Sequence, residues 1–386
     1  MKILYVVSRP LEINTSASIR NRATINGLIE LGHNVDLITT QFDKNHSNFD
    51  DSIFNKNLNV IYLKLGGIQD LARAGRKFKL LKPFKNLAYE IISKFEIYDN
   101  LKGIIDYALK LNIKDGKYDL IISSSDPKSS HLFVCKIFEN GLLKVTPWIQ
   151  IWGDPFLSDI TRNSKLLNSK IRNEEDRLLK YANKVIYVSN LTLNEQRKIY
   201  PHYAMKMYYE PIPFLKKENY PVADRQKESL TFLYCGDYSS DVRNIKPLYD
   251  AIKNTRHNLI ICGNSDLKLE DTERIEIYPR IGFEKTKAFE RECDVLIHLS
   301  NLKGTQIPGK IYQYSGTNKP ILFILDGDVD LLRGMFDSYE RYIFCQNEKI
   351  DICRVIEEIY NKKFDYTRFI VEEFDPKKIA EKIILI

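Results

Sequence analysis

Paired cysteines, long apolar runs and a dominant charge are all scarce in this chain of 386 residues. Its six cysteines (Cys135, Cys235, Cys262, Cys293, Cys345, Cys353) are scattered, with no CxxC pair and no histidine at ligand spacing. That argues against a zinc site or a disulfide framework and reads as reduced core thiols of a cytoplasmic protein. No apolar run approaches the roughly 20 residues that a membrane-crossing helix needs. The opening Met1-Lys2-Ile3-Leu4-Tyr5-Val6-Val7 is too short and lacks a small-residue cleavage site, so it reads as a first strand rather than a signal peptide. Lysine and arginine (58) barely outnumber aspartate and glutamate (51), and a net charge of +7 permits an anionic partner without specifying one. What remains is ordinary globular composition, 44% hydrophobic and 28% charged, at a length that favours two domains.

Short apolar runs alternate with helical patterns along the whole chain. Ile3–Val7, Val35–Ile38, Val60–Leu63, Leu120–Ser123, Val145–Trp152 and Val185–Val188 predict strands in the first half. Leu230–Cys235, Leu259–Cys262, Ile275–Tyr278, Val295–Leu299, Ile321–Leu325 and Tyr342–Cys345 predict them in the second. Several lack polar alternation, as in a parallel sheet covered on both faces. Between the first two, Ser16–Leu31 reads as a helix with Thr15 or Ser16 as N-cap and Gly32 as its stop, its apolar face carried by Ile25, Leu28 and Ile29. Strand, helix, strand is a βαβ unit, which predicts an α/β, doubly wound fold. Residues 1–205 form one expected domain and 229–365 a second. Residues 206–228, with Pro211, Pro213, Pro221 and Lys216-Lys217-Glu218, form an exposed linker, and 366–386 end in a helix that packs back on the first domain.

The stretch Gly304-Thr305-Gln306-Ile307-Pro308-Gly309-Lys310 opens a short helix before the strand Ile321–Leu325. Free N–H groups at such a start, the positive end of the helix dipole and the Lys310 ammonium all favour an anion. Polar residues also follow the apolar runs: Ser8-Arg9, Ser123-Ser124-Ser125-Asp126, Gly153-Asp154, Ser189-Asn190, Gly236-Asp237, Gly263-Asn264 and Ser300-Asn301. Singly these mark turns. Repeated, they outline ligand sites beyond the carboxyl ends of two sheets.

Taken in order, these residues resemble the GT-B glycosyltransferases of the family-four type over nearly the whole chain. Lys2–Val6, Ser18–Arg22 and Leu31–Thr39 look like that family's first βαβ unit; Tyr118–Pro127 with Ser130-His131 looks like a middle strand and loop. Pro147-Trp148-Ile149 with Asp154-Pro155-Phe156 is similar to its "DPW" segment, and Ala182–Ser189 to the strand that closes the acceptor domain. Leu233–Tyr238 with Arg243-Asn244, and Pro308–Tyr314 with Lys319–Leu322, look like its donor domain. The resemblance implies two facing Rossmann-like domains with a deep interdomain cleft and a retaining transfer from a nucleoside-diphosphate-sugar, UDP- or GDP-linked, without a metal or other cofactor. Many members carry two glutamates where this chain has Thr305 and Gln313. Gln313 can still hydrogen-bond a ribose hydroxyl, whereas Thr305 supplies no carboxylate.

On this reading Arg243 and Lys310 hold the diphosphate, with Gly236 and Gly309 allowing close backbone approach. Arg280 and Gly282 stand where the resemblance puts the base. Asp154 orients or deprotonates the acceptor hydroxyl, and His131, in a Ser- and Lys-rich loop, contacts the sugar or assists proton transfer. Ser16, Arg20 and Asp126 complete the acceptor side. Glu175 lies in Glu174-Glu175-Asp176, which reads first as a charged helix surface. Asp326-Gly327-Asp328 has the spacing of a metal-binding DxD motif but follows a strand as a plain acidic turn.

Arg73, Arg76, Lys77, Lys79, Lys82 and Lys85 interleave with Phe78, Leu80, Leu81 and Phe84. That composition suits an anionic membrane surface on the inner face of the plasma membrane, and a lipid-linked acceptor. No nucleic-acid module accompanies it. The expected activity is transfer to an acceptor hydroxyl in bacterial surface polysaccharide or glycolipid synthesis. The rivals are a nucleotide-sugar epimerase of the same fold and a non-catalytic partner subunit of a transferase.

Overall fold

The computed structural model of the chain describes residues 1–42, 44–46, 49–50, 58–65, 96–160, 166–221, 227–361 and 369–385. It divides into two units, Met1–Pro211 with Lys377–Ile386, and Ile212–Pro376.

In the first unit, β1 (Lys2–Val6), β2 (Asn34–Thr40), β3 (Asn59–Leu63), β4 (Leu120–Ser124), β5 (Trp148–Trp152), β6 (Lys184–Tyr187) and β7 (Met207–Tyr209) form one sheet, ordered β3-β2-β1-β4-β5-β6-β7. Every pairing is parallel, from Ile3 opposite Leu120 to Val185 opposite Met207. Helices cover the central strands, which is why β4 and β5 are buried at every position and read as unbroken apolar runs. The Ser16–Glu30 helix follows β1. Thr15 caps it by accepting the Ser18 N–H at 3.2 Å, and Gly32 leaves it at φ +82°, where glycine is favoured. Ile25 and Leu28 are buried as expected, while Ile29 is half-buried.

Two details depart from the sequence reading. β5 begins at Trp148 rather than Val145, because the Asp115 carboxylate collects the N–H groups of Lys144, Val145 and Thr146 at 2.9–3.4 Å and folds them into a turn. The three-residue β7 lies within the stretch read as linker. Farther on, Ile212, Phe214 and Tyr220 are buried within the second unit, while Lys216, Lys217, Asn219 and Pro221 stay exposed.

The second unit repeats the plan. β8 (Thr231–Cys235), β9 (Asn258–Cys262), β10 (Ile275–Tyr278), β11 (Val295–Leu299), β12 (Ile321–Leu325) and β13 (Tyr342–Gln346) run parallel in the order β10-β9-β8-β11-β12-β13. Counted from each unit's first strand, both orders are the doubly wound 3-2-1-4-5-6, with β7 added at one edge. Each unit therefore has a switch point between its first and fourth strands.

Buried cations and one carboxylate finish the helix ends. Lys206 Nζ donates to the carbonyls of Leu179, Lys180 and Ala182 at 2.7–3.1 Å, closing the Asn168–Lys180 helix. Lys319 does the same for Phe283–Glu292 through Arg291 and Cys293. Lys184, on β6, donates to Lys382, Ile383 and Leu385 at 2.7–3.2 Å and so holds the end of the Pro376–Ile384 helix. Such groups satisfy carbonyls that a helix end otherwise leaves without partners. At the opposite kind of terminus, Asp99 accepts the Ser129 hydroxyl at 2.9 Å and its N–H at 3.4 Å where the Ser129–Glu139 helix begins. Among the described residues no helix is long and apolar enough to cross a membrane.

Candidate functional site

Each unit gathers polar side chains at its own switch point. In the first, Arg20 comes from the helix after β1 and reaches the end of β4, where Nη2 donates to the Ser125 carbonyl and lies 3.5 Å from Ser124 Oγ. Its guanidinium lies against Gly153, just after β5; a Cβ there would stand 2.4 Å from Nη1, so any larger residue would make the arginine give way. Gly153 N in turn donates to Ser125 Oγ at 3.3 Å.

Beside this arginine lie Asp126, Lys128, Asp154 and Asp159. Lys128 pairs with Asp126 and, at 3.1 Å, with Asp159. Asp126 and Asp154 bear on one another's ionisation. Burial acts against both charges; the Lys128 ammonium, Asp154 and Arg20 together more than offset this for Asp126, whose pKa falls below the usual carboxylate range. For Asp154 the Lys128 charge acts the same way but does not prevail. Burial, then the Asp126 charge, push its pKa up to about 8. The pair thus holds one proton near neutrality, with Asp126 the carboxylate and Asp154 the acid. A carboxyl in that condition can pass a proton to or from a hydroxyl.

Glu175, read as part of a charged helix surface, is instead fully buried. Its carboxylate accepts the N–H groups of Phe156 and Leu157 at 2.9 and 3.0 Å and the Tyr200 hydroxyl at 3.0 Å, which fixes the chain just after Asp154. Burial raises its pKa against those three donors. His131 also departs from expectation. It lies in the first turns of the Ser129–Glu139 helix, not in a loop, with no exposed surface. Its Nδ1 is 2.7 Å from Ser123 Oγ, which also accepts Trp148 Nε1, and its ring packs 4.3 Å from that of Trp152. Burial holds its pKa down to about 3, so it is a neutral part of the wall rather than a proton carrier at the surface. Ser16 stays exposed at the first position of its helix.

In the second unit, Arg243 makes the matching reach. It leaves the loop after β8 and donates Nε and Nη2 to Asn301 Oδ1, just past β11, at 3.1 and 2.9 Å, while Nη1 meets the Asp237 carbonyl at 2.8 Å. Three of its five N–H groups are used and two remain for a ligand. Gly236 adjoins this arginine; a Cβ there would sit 3.6 Å from Nη1. At Gly263 a Cβ would fall 2.0 Å from the Gly236 carbonyl oxygen, so the two strand ends approach only because Gly263 has no side chain.

Gly309 precedes the Lys310–Ser315 helix, as expected. Lys310 Nζ stands 3.4 Å from Glu290, a carboxylate with 1% exposure that also takes Lys287 at 2.7 Å. Burial pulls the Lys310 pKa down, and Glu290 together with Cys235 and Cys262 more than reverses it, so the ammonium stays charged. Arg280 is exposed and tied to Asp237, and Gly282 caps the Phe283–Glu292 helix with open space beside it. Thr305 lies in the loop between Asn301 and Gly309.

Gln313 corrects the sequence reading. Its Oε1 accepts Leu215 N at 2.9 Å and its Nε2 donates to Pro213 O at 3.0 Å, so the amide fastens the 213–215 backbone and not a ribose. Asp328 caps the Val329–Phe336 helix and Asp326 accepts Asn347 Nδ2 at 2.8 Å, which gives the DxD-like turn a purely local role. The basic stretch 73–85 lies outside the described residues. Sequence reasoning missed Lys128, Asp159 and Glu290, none of which follows an apolar run; Asn301 it named only as one of the polar residues that do.

No family model matches the chain, and no curated protein does. Solved structures do. Sucrose-phosphate synthase from Thermosynechococcus elongatus is 15% identical, with a TM-score of 0.58 over 99% of this chain and 95% of its own. The catalytic domain of starch synthase IV from Arabidopsis thaliana, bound to ADP and acarbose, is 10% identical, with a TM-score of 0.61 over 100% and 95%. A protein of Listeria monocytogenes assigned as a UDP-N-acetylglucosamine 2-epimerase is 11% identical, with a TM-score of 0.54 over 99% and 94%. These likenesses show the fold: two Rossmann-like α/β units of the GT-B class.

Proposed function

We propose that the chain is a glycosyltransferase that moves a sugar from a nucleoside diphosphate to an acceptor hydroxyl. The observation that carries this is the second unit's cluster: Arg243 with two N–H groups to spare and a charged Lys310, beyond the carboxyl ends of parallel strands. Negative charge growing on a departing nucleoside diphosphate needs fixed cations of this kind. The fold is shared with a protein assigned as a UDP-N-acetylglucosamine 2-epimerase, which favours a sugar-nucleotide ligand here. In the first unit, the Asp126–Asp154 pair supplies the proton acceptor for the hydroxyl, Asp154 acting once it ionises. Arg20 and Lys128 hold that pair in place. The acceptor belongs to the chemistry of surface glycans or their lipid-linked precursors, met at the cytoplasmic face of the membrane through the basic stretch 73–85, with retention of configuration and no metal.

The test is nucleotide release from a panel of UDP-, GDP- and dTDP-sugars. Release from one donor, lost in Lys310→Ala and Arg243→Ala, supports a transferase. Conversion of a UDP-sugar to its epimer without nucleotide release assigns the chain to the second reading, which the Listeria likeness and the proton-sharing acids favour. Nucleotide binding with no turnover under any acceptor would mark a non-catalytic partner subunit and sink the enzyme reading.

A further inference from the structure

Cys235 ends β8, Cys262 ends β9, and the two are register partners. Partners in a parallel pair lie about 4.8 Å apart with side chains on one face. That separation falls inside the window of about 4.4–6.8 Å between Cα atoms that a disulfide accepts. Each thiol bears on the other's ionisation. The other cysteines lack such a mate. Cys345 is the register partner of Ile324, and Cys135, Cys293 and Cys353 each lie against a backbone carbonyl. The neighbouring Cys262 thiol, then the Lys310 ammonium, hold the Cys235 thiol below its ordinary pKa despite burial. A thiol with such partners has the thiolate character that oxidants attack. Each cysteine keeps a little exposed surface, 6% for Cys235 and 3% for Cys262.

We propose that Cys235 and Cys262 are an oxidisable dithiol that hydrogen peroxide closes to a disulfide. The Cys235 sulfur attacks one peroxide oxygen, forming an S–O bond and breaking the O–O bond; the departing hydroxide takes the thiol proton and leaves as water. The Cys262 sulfur then attacks the sulfenic sulfur. An S–S bond forms, the S–O bond breaks, and that hydroxide leaves as water with the Cys262 proton. Two thiols lose two electrons and two protons, and one peroxide becomes two waters.

The full chain, treated with hydrogen peroxide, then denatured and alkylated, should lose about 2 Da and leave two thiols unlabelled. A tryptic map should join Cys235 to Cys262, and dithiothreitol should restore all six thiols. In Cys262→Ser, Cys235 should stop at the sulfenic acid and react with dimedone. Labelling of all six thiols after peroxide, a cross-link between other cysteines, or a mass loss that survives in Cys235→Ser overturns the proposal. The map of the unsubstituted chain decides even if a serine variant misfolds. Disulfide formation does not require nucleotide binding, so this result and the donor panel can fail separately.

Discussion

Glu175→Ala is the sharpest probe of how the first unit holds its acid pair. The side chain is fully buried and receives three hydrogen bonds, from Phe156 N, Leu157 N and Tyr200 Oη. Alanine strands two backbone donors and one hydroxyl. At about 1–3 kcal/mol for each buried donor left unmatched, and with some relaxation, the loss should reach about 3–6 kcal/mol. Glutamine keeps one acceptor and turns its amide nitrogen on the other N–H, so its cost should be about 1–3 kcal/mol. The assay is selective without labelling. The only two tryptophans, Trp148 and Trp152, are both fully buried in β5, so tryptophan fluorescence follows the first unit alone. With a urea slope of about 2 kcal/mol per molar, alanine should move that midpoint by about 2 M. Asp176→Asn, one residue along on the exposed side, should change it by under about 0.5 kcal/mol. Alanine and glutamine both within about 0.5 kcal/mol of the parent would refute the claim that these bonds hold the 154–157 turn.

Asp154 has a folded pKa above its unfolded value, so its ionisation opposes folding. The stability it permits is complete below about pH 4 and is lost as pH rises toward about 8. Asp154→Asn should remove that alkaline loss in fluorescence-monitored melts. It should also abolish a rate that climbs through about pH 8, while Asp126→Asn should shift the climb to lower pH by removing the neighbouring charge. Gly263→Ala should disrupt the second unit and abolish UDP binding in calorimetry, because its Cβ meets backbone; Gly282→Ala, facing open space, should do neither. Lys184→Met should free the C-terminal helix at a cost of about 1–3 kcal/mol, seen as rapid proteolytic trimming after Asp375.

Much of the architecture was legible because a covered parallel strand announces itself as an apolar run. All twelve expected strands are present, and among the described residues only the three-residue β7 escaped, hidden by tyrosines and prolines in a stretch of linker composition. The strand ends were legible for the same reason: the polar residue after each run marks where the sheet stops. Pairing was not legible. Nothing in Asn-Glu-Glu-Asp tells that Glu175 turns inward while Asp176 faces solvent; the helix's contacts decide that. Gln313 looked like a ligand contact because its neighbours matched a pattern, yet its amide is consumed by a backbone that returns from nearly a hundred residues away. Arg20 and Arg243 share a job, spanning from the first strand's side to the end of the fourth, that only strand order exposes.

Asp99 makes the two halves of this molecule unequal. Where the Ser129–Glu139 helix begins, a resident carboxylate already occupies the place an incoming phosphoryl group would want. Any guest at that helix start would meet a negative charge that the second unit does not place at its Lys310–Ser315 helix, where a lysine stands instead.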